Sequence, residues 1–143
     1  MSNRKGIAMK CYRLERWFYE HHLTIFAKIV YRSMQIVLGC TIPYTCVIGK
    51  DADIAHFHGV IISHICTIGD GTVIYQHVTI GGLDGQHGAT IGKNCRISPG
   101  AVLLGEVKIG DNVKIGPNSV VLHDIPDNCI AMGVPAKIIQ RGE

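Results

Sequence analysis

From Ile42 onward an aliphatic side chain recurs every sixth residue: Ile42, Ile48, Ile54; then Ile62, Ile68, Ile74, Ile80; then Ile91, Ile97, Leu103, Ile109, Ile115 and Val121. The next residue is often glycine (Gly49, Gly69, Gly81, Gly92, Gly110, Gly116), and four places after the aliphatic stands a small or branched residue such as Cys46, Ala52, Cys66, Thr72, Cys95, Ala101 or Ser119. Helices repeat every ~3.6 residues and strands every two, so neither generates this period. It fits a triangular solenoid in which each hexapeptide supplies one short strand and one corner, and three hexapeptides close a coil. Thirteen frames give about four coils, whose phase the pattern leaves open. The aliphatic is expected inside, stacked on its equivalents, with the small residue filling the remaining interior. Glycine is expected at corners, where it permits backbone conformations closed to other residues.

The first forty residues read differently. Glycine is absent between Lys10 and Leu38, and apolar residues recur at three- and four-residue steps: Leu14, Trp17, Phe18; then Phe26, Ile29, Val30. This predicts one or two amphipathic helices, interrupted or capped at Thr24 and ended by Gly39. The division is therefore residues 1–40 as a helical cap and 41–143 as the repeat domain. Covering the first coil is the simplest use of the cap, because a solenoid has to hide its end. Docking on a membrane surface or a partner is the other, suggested by its basic and aromatic content.

Two breaks interrupt the grid, and in a solenoid such breaks mark loops leaving the body. Ile54 to Ile62 spans eight residues and holds AHFHGV; Ile80 to Ile91 spans eleven and holds GGLDGQHGAT. Regular pairing is expected to stop at Asp124-Ile125-Pro126.

Composition narrows the picture. Apolar residues make up 47% of the chain and charged residues 17%, which excludes disorder. A net charge of +3, with no basic run interleaved with aromatics, argues against a nucleic-acid partner. Six cysteines without a CxxC pair, and no signal-like N-terminus, point to free thiols in a reducing cytoplasm, with Cys46, Cys66 and Cys95 acting as small buried hydrophobes. Leu23 to Leu38, the longest apolar stretch, is broken by Lys28, Arg32 and Gln35 and does not span a membrane.

Most of the eight histidines are expected to be surface residues, His21, His22 and His123 among them. His56 and His87 stand out because each lies in a break, on a loop held by a rigid scaffold. Histidine accepts a proton near neutral pH, so either is a candidate for activating a hydroxyl that attacks a thioester.

The order of IAHFHGVII at 54–62, QHVTIGG at 76–82, the loop ending in His87, ISPGAVLLG at 97–105, IGPNSVVL at 115–122 and GVPAKI at 133–138 resembles that of the serine acetyltransferases. The resemblance runs from Thr41 to Ile139. It implies a mainly β, left-handed parallel β-helix behind a short α-helical cap. It also implies homotrimers, with acetyl-CoA in a groove between subunits and no metal. By resemblance His56 matches the general base and His87 the second active-site histidine. Gly81 and Gly82 match the base of the active-site loop; Pro99, Gly100, Ala101 and Pro117 match corners along the coenzyme groove; and Gly133, Val134, Pro135, Ala136 and Lys137 match the segment closing its far end. Pro99 and Pro117 offer no amide donor there.

The departures bear on the acceptor. The aspartate before the family's base is Ala55, the arginine before its second histidine is Gln86, and the aspartate that orients the base is Thr41. A zwitterion such as serine calls for an anion and a cation in its site. The expected acceptor is therefore a sugar hydroxyl in polysaccharide biosynthesis, as in the family's surface-polysaccharide members, at a cytoplasmic or inner-membrane-surface location. The alternatives are a serine O-acetyltransferase, a trimeric scaffold without activity, and a β-helix carbonic anhydrase with zinc on His56, His58 and His87. The end at Arg141-Gly142-Glu143 gives no expectation of docking into cysteine synthase. His64 and His77 lie near the breaks without an assigned role.

Overall fold

The computed structural model describes residues 6–139; Met1 to Lys5 and Gln140 to Glu143, with the Arg141-Gly142-Glu143 terminus, lie outside the described residues. Two helices, α1 (Ile7–Glu20) and α2 (Thr24–Ser33), precede the solenoid, and a π-helical turn (Met34–Leu38) extends α2 to Gly39, whose left-handed backbone ends it.

The grid then becomes three parallel faces. The first stacks β1 (Val47–Ile48), β4 (Thr67–Ile68), β7 (Thr90–Ile91) and β10 (Lys108–Ile109). The second stacks β2 (Asp53–Ile54), β5 (Val73–Ile74), β8 (Arg96–Ile97) and β11 (Lys114–Ile115). The third stacks β3 (Ile61–Ile62), β6 (Thr79–Gly81), β9 (Val102–Leu104) and β12 (Val120–Val121). Register is in phase throughout, with Ile48 opposite Ile68, Ile68 opposite Ile91, and Ile91 opposite Ile109. All thirteen grid residues are buried, and so are the small residues named with them, Cys46, Ala52, Cys66, Thr72, Cys95, Ala101 and Ser119.

Three expectations need correction. The glycines that follow the aliphatic residue do not adopt left-handed backbone. All but Gly81 are required because coils touch there: a Cβ on Gly69 would lie 2.6 Å from the Gly92 carbonyl. Left-handed corners occur two residues later instead, at Gly71, His77, Asn94, Gly100, Asn112, Asn118 and Asn128. Asparagine serves because its short amide tolerates that region better than most side chains. Second, pairing does not stop at Pro126. Ile125 bridges to Ile109, Ala131 is buried six residues on, and β13 (Ile130–Gly133) adds to the second face beside β11 before β14 (Ala136–Ile139) folds back antiparallel on it. Third, His58, four places after Ile54 where the grid calls for an inward residue, is exposed, and Val60 fills the interior of that corner.

The coils are also tied outside the strands. Asp70, Asp111 and Asp127 each accept a 2.7 Å bond from a backbone amide of the preceding coil, at Lys50, Lys93 and Asp111 respectively.

The cap closes the first coil. Ala8, Met9, Tyr12 and Met34 are buried against it. The Tyr12 hydroxyl donates to the Cys46 carbonyl at 2.7 Å and accepts from the Ile48 amide at 3.2 Å, completing backbone groups that have no earlier coil to pair with. Arg13 donates to the Ile48 carbonyl, and Arg16 to that of Tyr44. Glu15 is fully buried with neither carboxylate oxygen hydrogen-bonded, and burial pushes its carboxyl up to about 9. The cap's outer side stays apolar at Ile25, Ile36 and Val37, beside Lys28 and Arg32. No described helix is long and apolar enough to cross a membrane.

Candidate functional site

A triangular solenoid has three edges, and the two breaks leave from different ones. The chain passes from second to third face at residues 55–60, 75–78, 98–101 and 116–119, and from third to first at 63–66, 82–89, 105–107 and 122–124. His56, Pro99, Gly100, Ala101 and Pro117 therefore line one edge, and the turn from Gly133 to Ala136 continues it at the far end. Gly82 and His87 belong to the other edge, with Gly81 closing β6 just before it. Within one chain the width of the third face separates the two histidines.

The His56 edge is built on close packing. Ala55 still pairs with the coil above, its amide donating to the Ile74 carbonyl at 2.9 Å, and the chain then leaves the body. Gly59, with a φ of +67°, brings it back; its bare Cα faces the His77 ring, where no Cβ would fit. Along this edge Phe57 stacks on His58 with ring centres 4.4 Å apart, and His56 lies 6.2 Å from the Tyr75 ring. The His56 ring is exposed and makes no hydrogen bond to a described residue. Thr41 does not orient it: the Thr41 hydroxyl instead accepts from Gln35, and its backbone bridges to Ile61. Gln76 adds a buried side-chain oxygen without a partner. Ala101 turns its side chain into the core, so it has only backbone to offer on this edge. Pro99 and Gly100 are half-buried and Pro117 is exposed. The GVPAK segment ends β13 at Gly133, turns at Val134 and Pro135 through a cis bond, and begins β14 at Ala136; all but the half-buried Ala136 are exposed.

The His87 edge is organised by charge. Gly82 and Gly88 let the loop close on itself and against Ile65, since a Cβ on Gly88 would lie 2.8 Å from the Ile65 side chain. At the tip Asp84 Oδ1 accepts from the Gln86 and His87 amides, both at 2.9 Å, while Oδ2 lies 2.7 Å from His87 Nδ1. These bonds hold the Asp84 carboxyl well below its usual range. Asp84, and less strongly Glu106, pushes the His87 imidazole up from its ordinary value. Asp84 was not among the residues singled out from the sequence. Its signal is the spacing Asp-Gly-x-His, a turn in which an aspartate reaches both the amide and the side chain three residues on.

His56, His58 and His87 are not gathered within the chain, and no group of three or more His, Cys, Asp or Glu among the described residues is arranged to hold a metal. Burial pushes the Cys46 thiol up to about 12 and that of Cys40 up to about 11, so these are packing groups rather than nucleophiles.

Residues 87–123 match the bacterial transferase hexapeptide (six repeats) family. Over 137 residues, 94% of this chain and 56% of the relative, the sequence is 35% identical to a serine acetyltransferase of Synechococcus elongatus. A crystal structure of the serine acetyltransferase of Vibrio cholerae superposes with a TM-score of 0.89 at 29% identity, covering 95% of this chain and 54% of that one. A serine acetyltransferase in complex with CoA gives a TM-score of 0.86 at 29% identity, over 92% of this chain and 55% of that one. The chain thus spans little more than half the length of these proteins.

Proposed function

We propose that the chain belongs to the serine acetyltransferase family of hexapeptide-repeat β-helices and is an acetyl-CoA-dependent O-acetyltransferase. The observation that carries this is the likeness to a CoA-bound serine acetyltransferase over 92% of the chain.

In this reading the acceptor hydroxyl gives its proton to the His56 imidazole as its oxygen attacks the acetyl carbonyl carbon. The carbon–sulfur bond then breaks, the thiolate takes the proton back from His56, and the acetyl ester and free coenzyme A leave. No covalent enzyme intermediate is needed. Acetyl-CoA is assigned to the His56 edge, along Pro99, Gly100, the Ala101 backbone, Pro117 and the Gly133–Lys137 turn, with Gly81 and Gly82 at the base of the opposing loop. Small residues suit a groove that pantetheine approaches closely.

The partner reading follows from the edges. One copy holds its His56 edge and its His87 loop apart, whereas a neighbouring copy can set its loop against that edge. Such a contact uses a different edge on each copy and closes into a ring when the rotation between neighbours closes; the homotrimer with sites between subunits is the ring that the family resemblance implies.

Serine is the acceptor this proposal favours, because the relatives that match nearly the whole chain are serine acetyltransferases. The sugar acceptor expected from Ala55, Gln86 and Thr41 finds no support among them.

The test is coenzyme A release from acetyl-CoA with serine or a panel of sugars, for the wild type and His56→Ala. Serine-dependent release that falls about 10²- to 10⁴-fold in the variant is expected. Release with sugars alone restores the sugar reading, and no release with any acceptor supports a scaffold.

A further inference from the structure

The two histidines differ in how they are held. His56 has no hydrogen-bonded partner among the described residues. His87 is fixed by one carboxylate at three points: Asp84 Oδ1 takes the amides of Gln86 and His87, and Oδ2 takes ring Nδ1. A carboxylate that spans a backbone amide and the ring of the same residue removes both main freedoms of that side chain, its rotation and its tautomer. With Nδ1–H committed to Asp84, Nε2 is the ring nitrogen left for a ligand. The loop keeps both residues about half exposed, so the pairing is not a by-product of core packing. An exposed ion pair by itself contributes little to stability, which makes a purely structural purpose for this one a poor account.

We propose that Asp84 is a positioning residue of the acceptor site: it holds His87 with Nδ1 protonated and Nε2 turned to the acceptor. This rests on the transferase reading above, although the pairing can be tested without it. The charged groups acting on the His87 ring are Asp84 on its own loop and Glu106 on the next turn of the same edge.

Asp84→Asn separates positioning from loop structure. Its amide oxygen still accepts from the Gln86 and His87 amides, but its NH₂ faces Nδ1 as a donor, so the neutral ring must move its proton to Nε2. Two readouts follow, both on the full chain. The first is the titration of His87 by NMR, assigned with His87→Ala. It should fall in Asp84→Asn through loss of the opposite charge. The second is steady-state kinetics with serine. KM for the acceptor should rise about tenfold, with KM for acetyl-CoA little changed and the acid limb of kcat/KM moved to lower pH along with the titration. Asp84→Glu, which keeps the charge, should recover part of both.

Unchanged titration and acceptor KM in Asp84→Asn would overturn the proposal. So would equal rises in both KM values, which would mark a loop that had merely unfolded. If the wild type turns over no acceptor, the transferase reading and the acceptor role fail together, and a shifted titration then leaves only the pairing. If His56→Ala abolishes turnover while Asp84→Asn matches the wild type, the transferase reading stands and this one falls.

Discussion

In the solenoid, Ile48, Ile68, Ile91 and Ile109 form a column in which each side chain is covered by its equivalent one coil away. In the cap, unlike residues close over the first coil, and the fit is made by individual contacts: Tyr12 on Cys46 and Ile48, Arg13 on Ile48, Arg16 on Tyr44. Repetition lets one solution serve every coil, and each backbone group finds its partner in the coil next door. The cap has no such neighbour, and it buries a carboxyl, Glu15, with nothing to receive it. Order imposed by periodicity is therefore redundant, and order imposed at the end is particular.

The strongest test of this contrast is Ile97→Ala. Ile97 is fully buried between Ile74 and Ile115, and neighbours tied into register cannot collapse into the space, so a loss of about 4 kcal/mol is expected in urea unfolding. A loss under about 1 kcal/mol would show that the stack is softer than its register implies.

Glu15→Gln probes the cap. The Glu15 carboxyl is raised from an ordinary 4.5 to about 9, so the folded state retains a proton that the unfolded chain releases. Stability contributed by the protonated group is fully present below pH 4.5 and is lost as pH rises through about 9. By pH 7 the loss is roughly 3 kcal/mol. The glutamine variant should abolish that decline, gaining over wild type at pH 8 and matching it near pH 4; parallel stability curves for the two proteins would refute the assignment.

Tyr12→Phe is expected to be the mildest change. It removes a hydroxyl that both donates to and accepts from the first coil, at a cost of about 1 to 2 kcal/mol. Hydrogen exchange should locate that cost at Val47 and Ile48 rather than in later coils. Even loss of protection along the solenoid would mean that the cap sets the stability of the whole.

The same contrast explains what was legible in the sequence. Inward positions were readable because a side chain's direction repeats with the hexapeptide, and all thirteen grid residues are buried. Left-handed corners were misassigned because conformation there is set by the turn, and asparagine or even His77 supports it as well as glycine. Pro126 hid the return of the chain to the first and second faces, since the residues that rejoin them, Ile125 and Ala131, keep the six-residue step in a new phase. In the candidate site, the breaks announced His56 and His87, but Asp84 becomes visible only when a turn folds it onto the ring. Thr41 holds the chain position of the family's orienting aspartate, and the structure engages it with Gln35.

The coils between Ile48, Ile68, Ile91 and Ile109 contain unequal lengths of chain, yet their strands meet in one register. The surplus is spilled at the edges as the loops that carry His56 and His87. Contour length and axial pitch are thus independent quantities in this molecule. A loop can grow, shrink or change its chemistry while the body beneath it keeps step, so short insertions alter what an edge presents without the frame feeling them.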